Sequence, residues 1–245
     1  MTDFRPMAHL ANQVAVVTGA NSGIGKAIAF ALAARGATVC LVGRRMEALQ
    51  LVAEQASHGS VCYQADLRLD SDIAALVANL KQDVKGVDVL VHGAGVIRLS
   101  SFECSSPDQL DWHYKVNVRA PYLLTQGLLP MIKARQGQIV FVNSTAGLRA
   151  GANASQYAST KHALRAIADS LREEVNAAGI RVLSLFLGRT ASPMQASVHE
   201  MEHRKYSPEL LMQPEDVAAV VINALTLPRT AEVTEVSMRP RMKSY

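Results

Sequence analysis

Seven short apolar runs, rich in β-branched residues, recur along the chain at 14–18, 38–42, 61–64, 87–92, 138–143, 181–187 and 232–238. Each run is continuous rather than alternating, which marks strands buried on both faces. Between them lie longer stretches with helical spacing, at 26–35, 46–56, 72–84, 108–134, 155–178 and 214–225. Parallel strands need a crossover of about a dozen residues, usually a helix, and these intervals supply one. Right-handed crossovers then leave few topologies, and an α/β fold with a doubly wound, seven-stranded parallel sheet is the natural one.

No Pro/Gly/Ser linker, repeat or low-complexity stretch divides the 245 residues, so residues 1–245 read as one domain. Apolar residues are 49% and charged residues 19%, a globular mixture rather than a disordered one. No apolar run reaches the 18 or so residues that span a bilayer, and residues 1–12 carry no signal core. Three cysteines without a CxxC pair exclude a disulfide scaffold and fit a cytoplasmic protein. The net charge is +4, but the basic tracts are short and aromatics are only 5%, which argues against a nucleic-acid surface. Two helix boundaries carry their own signals. Ser106-Pro107-Asp108-Gln109 offers an N-cap, a first-turn proline and a Gln able to close a capping box. Gly36 and Gly179 fall where helices should stop.

The first strand runs into Thr18-Gly19-Ala20-Asn21-Ser22-Gly23-Ile24-Gly25, and a helix follows at once. Gly19 permits the tight turn, Gly23 lets backbone approach a pyrophosphate, and Gly25 lets the helix pack on the strand. The helix N-terminus then offers free N–H groups to phosphates, so Gly19, Asn21, Ser22, Gly23, Ile24 and Gly25 form a candidate dinucleotide cradle. The second strand ends near Gly43, where an NAD enzyme places a carboxylate for the ribose hydroxyls. Here the chain reads Gly43-Arg44-Arg45. A guanidinium suits a 2′-phosphate, so Arg44 points to NADP(H), and Arg45 is either a second partner or a solvated helix-start residue.

Tyr157 and Lys161 stand four residues apart in a helical stretch, hence on one face. A cation there is expected to lower the phenol from its ordinary value near 10 toward working pH. Tyr157 would then pass a proton to a carbonyl or take one from an alcohol. Ser144, at the end of the fifth run, can donate to the same oxygen. Asn117 lies in an earlier helix, able to fix a water or a kink.

These motifs, with Asp66 and Ala94-Gly95 between them, follow one another as in the short-chain dehydrogenase/reductase family of about 250 residues, which the chain resembles from about Gln13 to about Val236. The Ser144-to-Tyr157 separation of thirteen residues is also similar to the family. The resemblance implies a Rossmann-like fold and an oxidoreductase acting on a small carbonyl or alcohol substrate. It also implies that Asp66 and Leu67 bind the adenine, that Ala94 and Gly95 face the cofactor, that Lys161 holds the nicotinamide ribose and that Asn117 anchors a proton-relay water. A homo-oligomer, dimer or tetramer, is implied as well, although the end of the chain lacks the glycine-rich segment of tetrameric relatives. His92-Gly93-Ala94-Gly95 replaces the family's Asn-Asn-Ala-Gly, and Leu187-Gly188 replaces its Pro-Gly. After Gly188, either Thr190 or Ser192 is expected at the cofactor phosphate or carboxamide. Residues 192–212 fall where the resemblance places a substrate lid. The pocket is expected near 92–99, 147–156 and this lid, with apolar lining from Leu148, Met194 and Met201. Arg149 and the lid histidines are candidates for an acidic group.

His199-Glu200-Met201-Glu202-His203 matches HExxH, and as a zinc hydrolase motif it would put two histidines on one helix face with Glu200 as base. Arg204-Lys205 follow directly and no third ligand is evident, so it reads as a polar helix of the lid, with no metal. The isolated His58 and His113 read as surface or half-buried residues. A nucleotide-binding regulatory protein without turnover is the remaining alternative, and the Ser144–Tyr157–Lys161 set argues against it.

Overall fold

The computed structural model describes residues 10–56 and 59–242; His58 and residues 1–9 lie outside them. The strands are β1 (Val14–Thr18), β2 (Thr38–Gly43), β3 (Ser60–Gln64), β4 (Val89–His92), β5 (Gln138–Ser144), β6 (Arg181–Leu187) and β7 (Glu235–Met238). All are parallel, in the order β3-β2-β1-β4-β5-β6-β7. Within β1, Val17 faces a core shared with α1 (Gly23–Ala33), α2 (Met46–Gln55) and α8 (Pro214–Leu225). Its neighbour Val16 faces the other core, with α3 (Asp70–Asp83), α5 (Ala120–Arg135) and α6 (Ser155–Val175). Both faces of the strand are therefore buried, which is why the apolar runs do not alternate.

The chain leaves β3 at one edge and re-enters at β4 beside β1. That reversal opens a crevice at the C-terminal ends of β1 and β4, where open α/β sheets bind ligands. Thr18 closes the bottom of the crevice, its Oγ1 accepting from the N–H groups of Gly93 and Ala94 at 3.1 and 3.2 Å. A Cβ on Gly19 would lie 2.8 Å from the Ala94 backbone, and one on Gly25 would lie 2.4 Å from the Gly19 carbonyl oxygen. Both positions require glycine for close approach of backbone, and Gly19 also has a φ of +68°.

Three elements differ from expectation. The stretch 108–134 is not one helix. It divides into α4 (Pro107–Tyr114), a π turn at Lys115–Arg119 and α5. The wide turn carries Asn117, which is buried and hydrogen-bonded to both the N–H and the C=O of Val96 at 2.9 Å. The expected kink is therefore present, with a tertiary cause that helical spacing does not carry. The seventh strand begins at Glu235 rather than 232, because the Glu232 carboxylate accepts from the Val182 N–H and takes the place of a ladder bond. Ser106 caps α4 through the Gln109 N–H at 3.3 Å. The reciprocal half of the capping box does not form, and the buried Gln109 Oε1 lacks a partner. Gly36 and Gly179 end their helices with φ of +90° and +72°.

Candidate active site

The crevice opens into a cavity of about 550 Å³, within the range of small-molecule sites. The glycine turn after β1 forms one wall. Gly23 has a φ of +51°, and Ser22 caps α1 through its backbone only. Among the described residues, no side chain caps the N-terminus of α1, and no acidic residue lies in its first turn. This helix end therefore fits a phosphate group. Gly19, Asn21, Ser22, Gly23, Ile24 and Gly25 all line the cavity.

Arg44 and Arg45 follow β2, exposed at the cavity rim. Gln64 holds the Arg44 carbonyl at 3.1 Å, which fixes the backbone at this point. Asp66 and Leu67 line the cavity beyond β3. The Asp66 carboxylate is gripped by Arg68, which holds it below the usual carboxylate range, with Arg44 adding a smaller effect. Arg68 lines the cavity and was missed in the sequence; its position two residues after Asp66 was the available signal.

Ser144 ends β5, and Tyr157 and Lys161 come from the first turns of α6. All three line the cavity together with Ala94 and Gly95. The Lys161 ammonium sits 5.8 Å from the Tyr157 ring centroid. The expected lowering of the phenol is not what these surroundings produce. Burial pushes Tyr157 up, and a hydrogen bond with Ser144 pulls partly against it. The reason is the aim of Lys161, whose Nζ donates to the Val142 carbonyl at 3.0 Å rather than to the phenol. Burial also draws Lys161 itself down from 10.5 to about 8.

This depressed lysine has a consequence for stability. Unfolding restores its ordinary affinity for a proton, so between pH 8 and 10.5 the unfolded chain binds more protons than the folded one. The destabilisation is full below pH 8 and gone above pH 10.5. In cofactor-free protein, Lys161→Met is expected to be more stable than the parent at neutral pH by about 1–3 kcal/mol. That gap should close as pH rises through the window. Urea unfolding of both proteins at intervals of pH tests this, and a gap independent of pH contradicts a buried charge.

Of the residues assigned to catalysis or the cofactor, Asn117 alone does not line the cavity. It also reaches Thr160 Oγ1 at 3.1 Å, tying the segment after β4 to α6. Of the expected apolar lining, Met194 does line the cavity, whereas the exposed Leu148 and Met201, the last residue of the helix Pro193–Met201, do not. His92, placed by sequence near the pocket, points into the core instead. It stacks on Phe141 at 4.9 Å, bonds Thr125 Oγ1 at 2.7 Å, and burial lowers it to about 3, so it is neutral. His113 is buried rather than half-exposed, and its Nε2 accepts from the Arg98 N–H at 2.9 Å.

Gly188, Thr190 and Ser192 line the cavity after β6. A Cβ on Gly23 would lie 3.1 Å from the Ser192 Cβ, so Ser192 abuts the glycine turn. Its Oγ caps α7 (Pro193–Met201) through the Gln195 N–H. Thr190 is buried and donates to the Gly188 carbonyl. The helix α7 is not simply polar, since Val198 and His199 are buried. It ends at Met201, and His203 lies beyond it with a φ of +53°. The two histidines therefore do not share the helical face that the HExxH reading requires. His199 packs on Tyr206, with ring centroids 5.3 Å apart. Exhaustive chelation is expected to leave turnover and the unfolding midpoint unchanged; loss of activity restored by zinc would reinstate the metal reading.

A doubly wound sheet with a glycine cradle at its switch point and a Ser–Tyr–Lys set in the same cavity defines a nicotinamide-dependent oxidoreductase. The family model described as short chain dehydrogenase matches residues 13–203, and the chain belongs to that family. It is 32% identical over 236 residues to an uncharacterized oxidoreductase of Staphylococcus aureus strain USA300, covering 96% of this chain and 100% of that one. Among solved structures it resembles a metagenomic short-chain oxidoreductase in complex with NADP, at 31% identity and a TM-score of 0.83, covering 96% and 100% of the two chains. It also resembles a 3-ketoacyl-(acyl-carrier-protein) reductase from Brucella melitensis complexed with NADH, at 26% identity and a TM-score of 0.83, covering 94% and 98%. Among the described residues, no helix is long and apolar enough to cross a membrane.

Proposed function

We propose that this oxidoreductase is an NADP(H)-dependent carbonyl reductase, or secondary-alcohol dehydrogenase in reverse. The observation that carries the reading is one cavity lined by Arg44 and Arg45 at one end and by Ser144, Tyr157 and Lys161 at the other. The α1 N-terminus and the glycine turn would hold the pyrophosphate, Arg44 the 2′-phosphate and Lys161 the nicotinamide ribose. Asp66 and Leu67 would face the adenine, Ala94, Gly95 and Gly188 would border the nicotinamide half, and Ser192, beside Gly23, is the better placed hydroxyl for a phosphate.

Bound NADPH would supply the hydride. Ser144 donates a hydrogen bond to the substrate oxygen, and Tyr157 gives that oxygen its proton. Burial keeps the phenol protonated, the form a carbonyl reduction needs at the start of each turnover. Asn117 acts as a positioning residue through its grip on Val96 and Thr160. Residues 192–212 serve as the lid, in the single domain of residues 1–245. The Arg189–Glu202 pair, at 2.7 and 2.8 Å, ties the end of α7 back to the chain leaving β6.

Free thiols at Cys40, Cys62 and Cys104 suit a cytoplasmic setting. The half-exposed Tyr114 and Tyr122 suit a homo-oligomer. Steady-state kinetics with NADPH and NADH over a panel of aldehydes and ketones tests the function. Absence of nicotinamide oxidation with every carbonyl, while NADPH still binds, would favour the regulatory alternative.

A further inference from the structure

The charges lining the cavity are unevenly placed. Arg44, Arg45, Asp66 and Arg68 stand at the ends of β2 and β3. The other half holds the catalytic set and an apolar wall made by Val96, Leu99, Trp112, Ala154, Met194 and Val198. Several contacts place this wall beside the catalytic pair. Gly95 lies against Lys161 Nζ, 3.9 Å from where a Cβ would stand, and Val96 follows it. Trp112 packs edge-on to His113 at 4.9 Å, and His113 meets the Tyr157 ring at 6.4 Å. Leu99 is tied to α7 through its N–H and the Met201 sulfur at 3.5 Å.

Among the described cavity-lining residues, only three in this half are charged: Lys161, Arg189 and Glu202. Lys161 donates to the Val142 carbonyl, and its remaining donors are assigned to the nicotinamide ribose. Arg189 is held by Glu202 through two hydrogen bonds, and Arg204, which does not line the cavity, pairs with the same carboxylate at 3.9 Å. The cations that the sequence suggested for an acidic substrate are elsewhere. Arg149 is exposed, and Arg149, His199 and His203 do not line the cavity. A carboxylate entering here would lose water and gain no free cation, which is the costly case of charge burial.

Resting on the carbonyl-reductase reading, we infer that the substrate is an uncharged carbonyl compound whose substituents are hydrocarbon or aryl, seated between Trp112, Leu99 and the Met194–Val198 face of α7. Keto acids, phosphorylated sugars and acyl groups carried on a phosphate-bearing arm are disfavoured at this wall.

The chain has one tryptophan, Trp112, so its fluorescence reports on this wall without turnover. The probes are ethyl 4-oxocyclohexanecarboxylate and free 4-oxocyclohexanecarboxylate, the same ring with and without a charge, titrated with NADP⁺ present and assayed with NADPH. The ester is expected to exceed the acid in kcat/KM by at least about 100-fold, the order set by burying an unpaired carboxylate. Met194→Lys, at a half-exposed position able to take a longer side chain, is expected to narrow that ratio by at least about tenfold. An acid turned over or bound as well as the ester overturns the inference, and so does the absence of any response of Trp112 to either probe. Preferential ester binding at Trp112 without nicotinamide oxidation would leave the apolar class standing and sink the reductase reading alone.

Discussion

Tyr157→Phe is expected to lower kcat by about 10²–10⁴-fold, the usual worth of a positioned general acid. The substitution removes one oxygen and keeps the ring, so the packing of His113 on that ring at 6.4 Å is preserved. Cofactor affinity should change little, because the cradle residues belong to α1 and the turn before it. Lys161→Ala should depress both rate and cofactor binding, since the ammonium stands 5.8 Å from the Tyr157 ring and is assigned to the ribose as well. Single-turnover rates and NADPH titrations on both variants separate the two effects. A Tyr157→Phe enzyme with near-parental turnover would show that the proton comes from elsewhere.

Cofactor choice should favour NADPH over NADH by at least tenfold in kcat/KM. Charge-assisted hydrogen bonds contribute roughly 1.5–3 kcal/mol, or about 10- to 150-fold at 1.4 kcal/mol per decade. Gly43 leaves no acceptor for ribose hydroxyls at the end of β2, and Arg44 stands beside that point on the cavity rim. Gly43→Asp combined with Arg44→Ala should reverse the preference. The new Cβ would lie 3.1 Å from Leu49 Cδ2 and 3.4 Å from Asn21 Oδ1. Leu49 must therefore yield slightly, and a modest loss of stability should accompany the switch. Arg68→Ala separates the second basic layer: a fall in NADPH affinity alone assigns Arg68 to the 2′-phosphate, and an equal fall for both cofactors assigns it to the adenosine. Equal efficiency of NADPH and NADH in the parent enzyme would show that the arginines are not aimed at the nucleotide.

Much of this architecture was legible before any coordinates, because it depends on local rules. The continuous apolar runs at 14–18 and 181–187 coincide with β1 and β6, since a strand covered on both faces has no polar side to interrupt it. The glycine cradle and the i, i+4 spacing of Tyr157 and Lys161 are likewise properties of a short segment, and so is the absence of a carboxylate after β2. What tertiary structure alone decided are the directions of polar side chains between segments far apart in the chain. Lys161 donates to Val142, Asn117 reaches across to Val96, and His92 turns into the core. Burial then set the protonation of Tyr157 and Lys161 against the expectation drawn from their spacing. A helical period tells which residues share a face, but it does not say where an ammonium finds its carbonyl or how much water that face has lost. The same holds for the apolar wall, where Trp112 of α4 and Met194 and Val198 of α7, far apart in the chain, line one cavity.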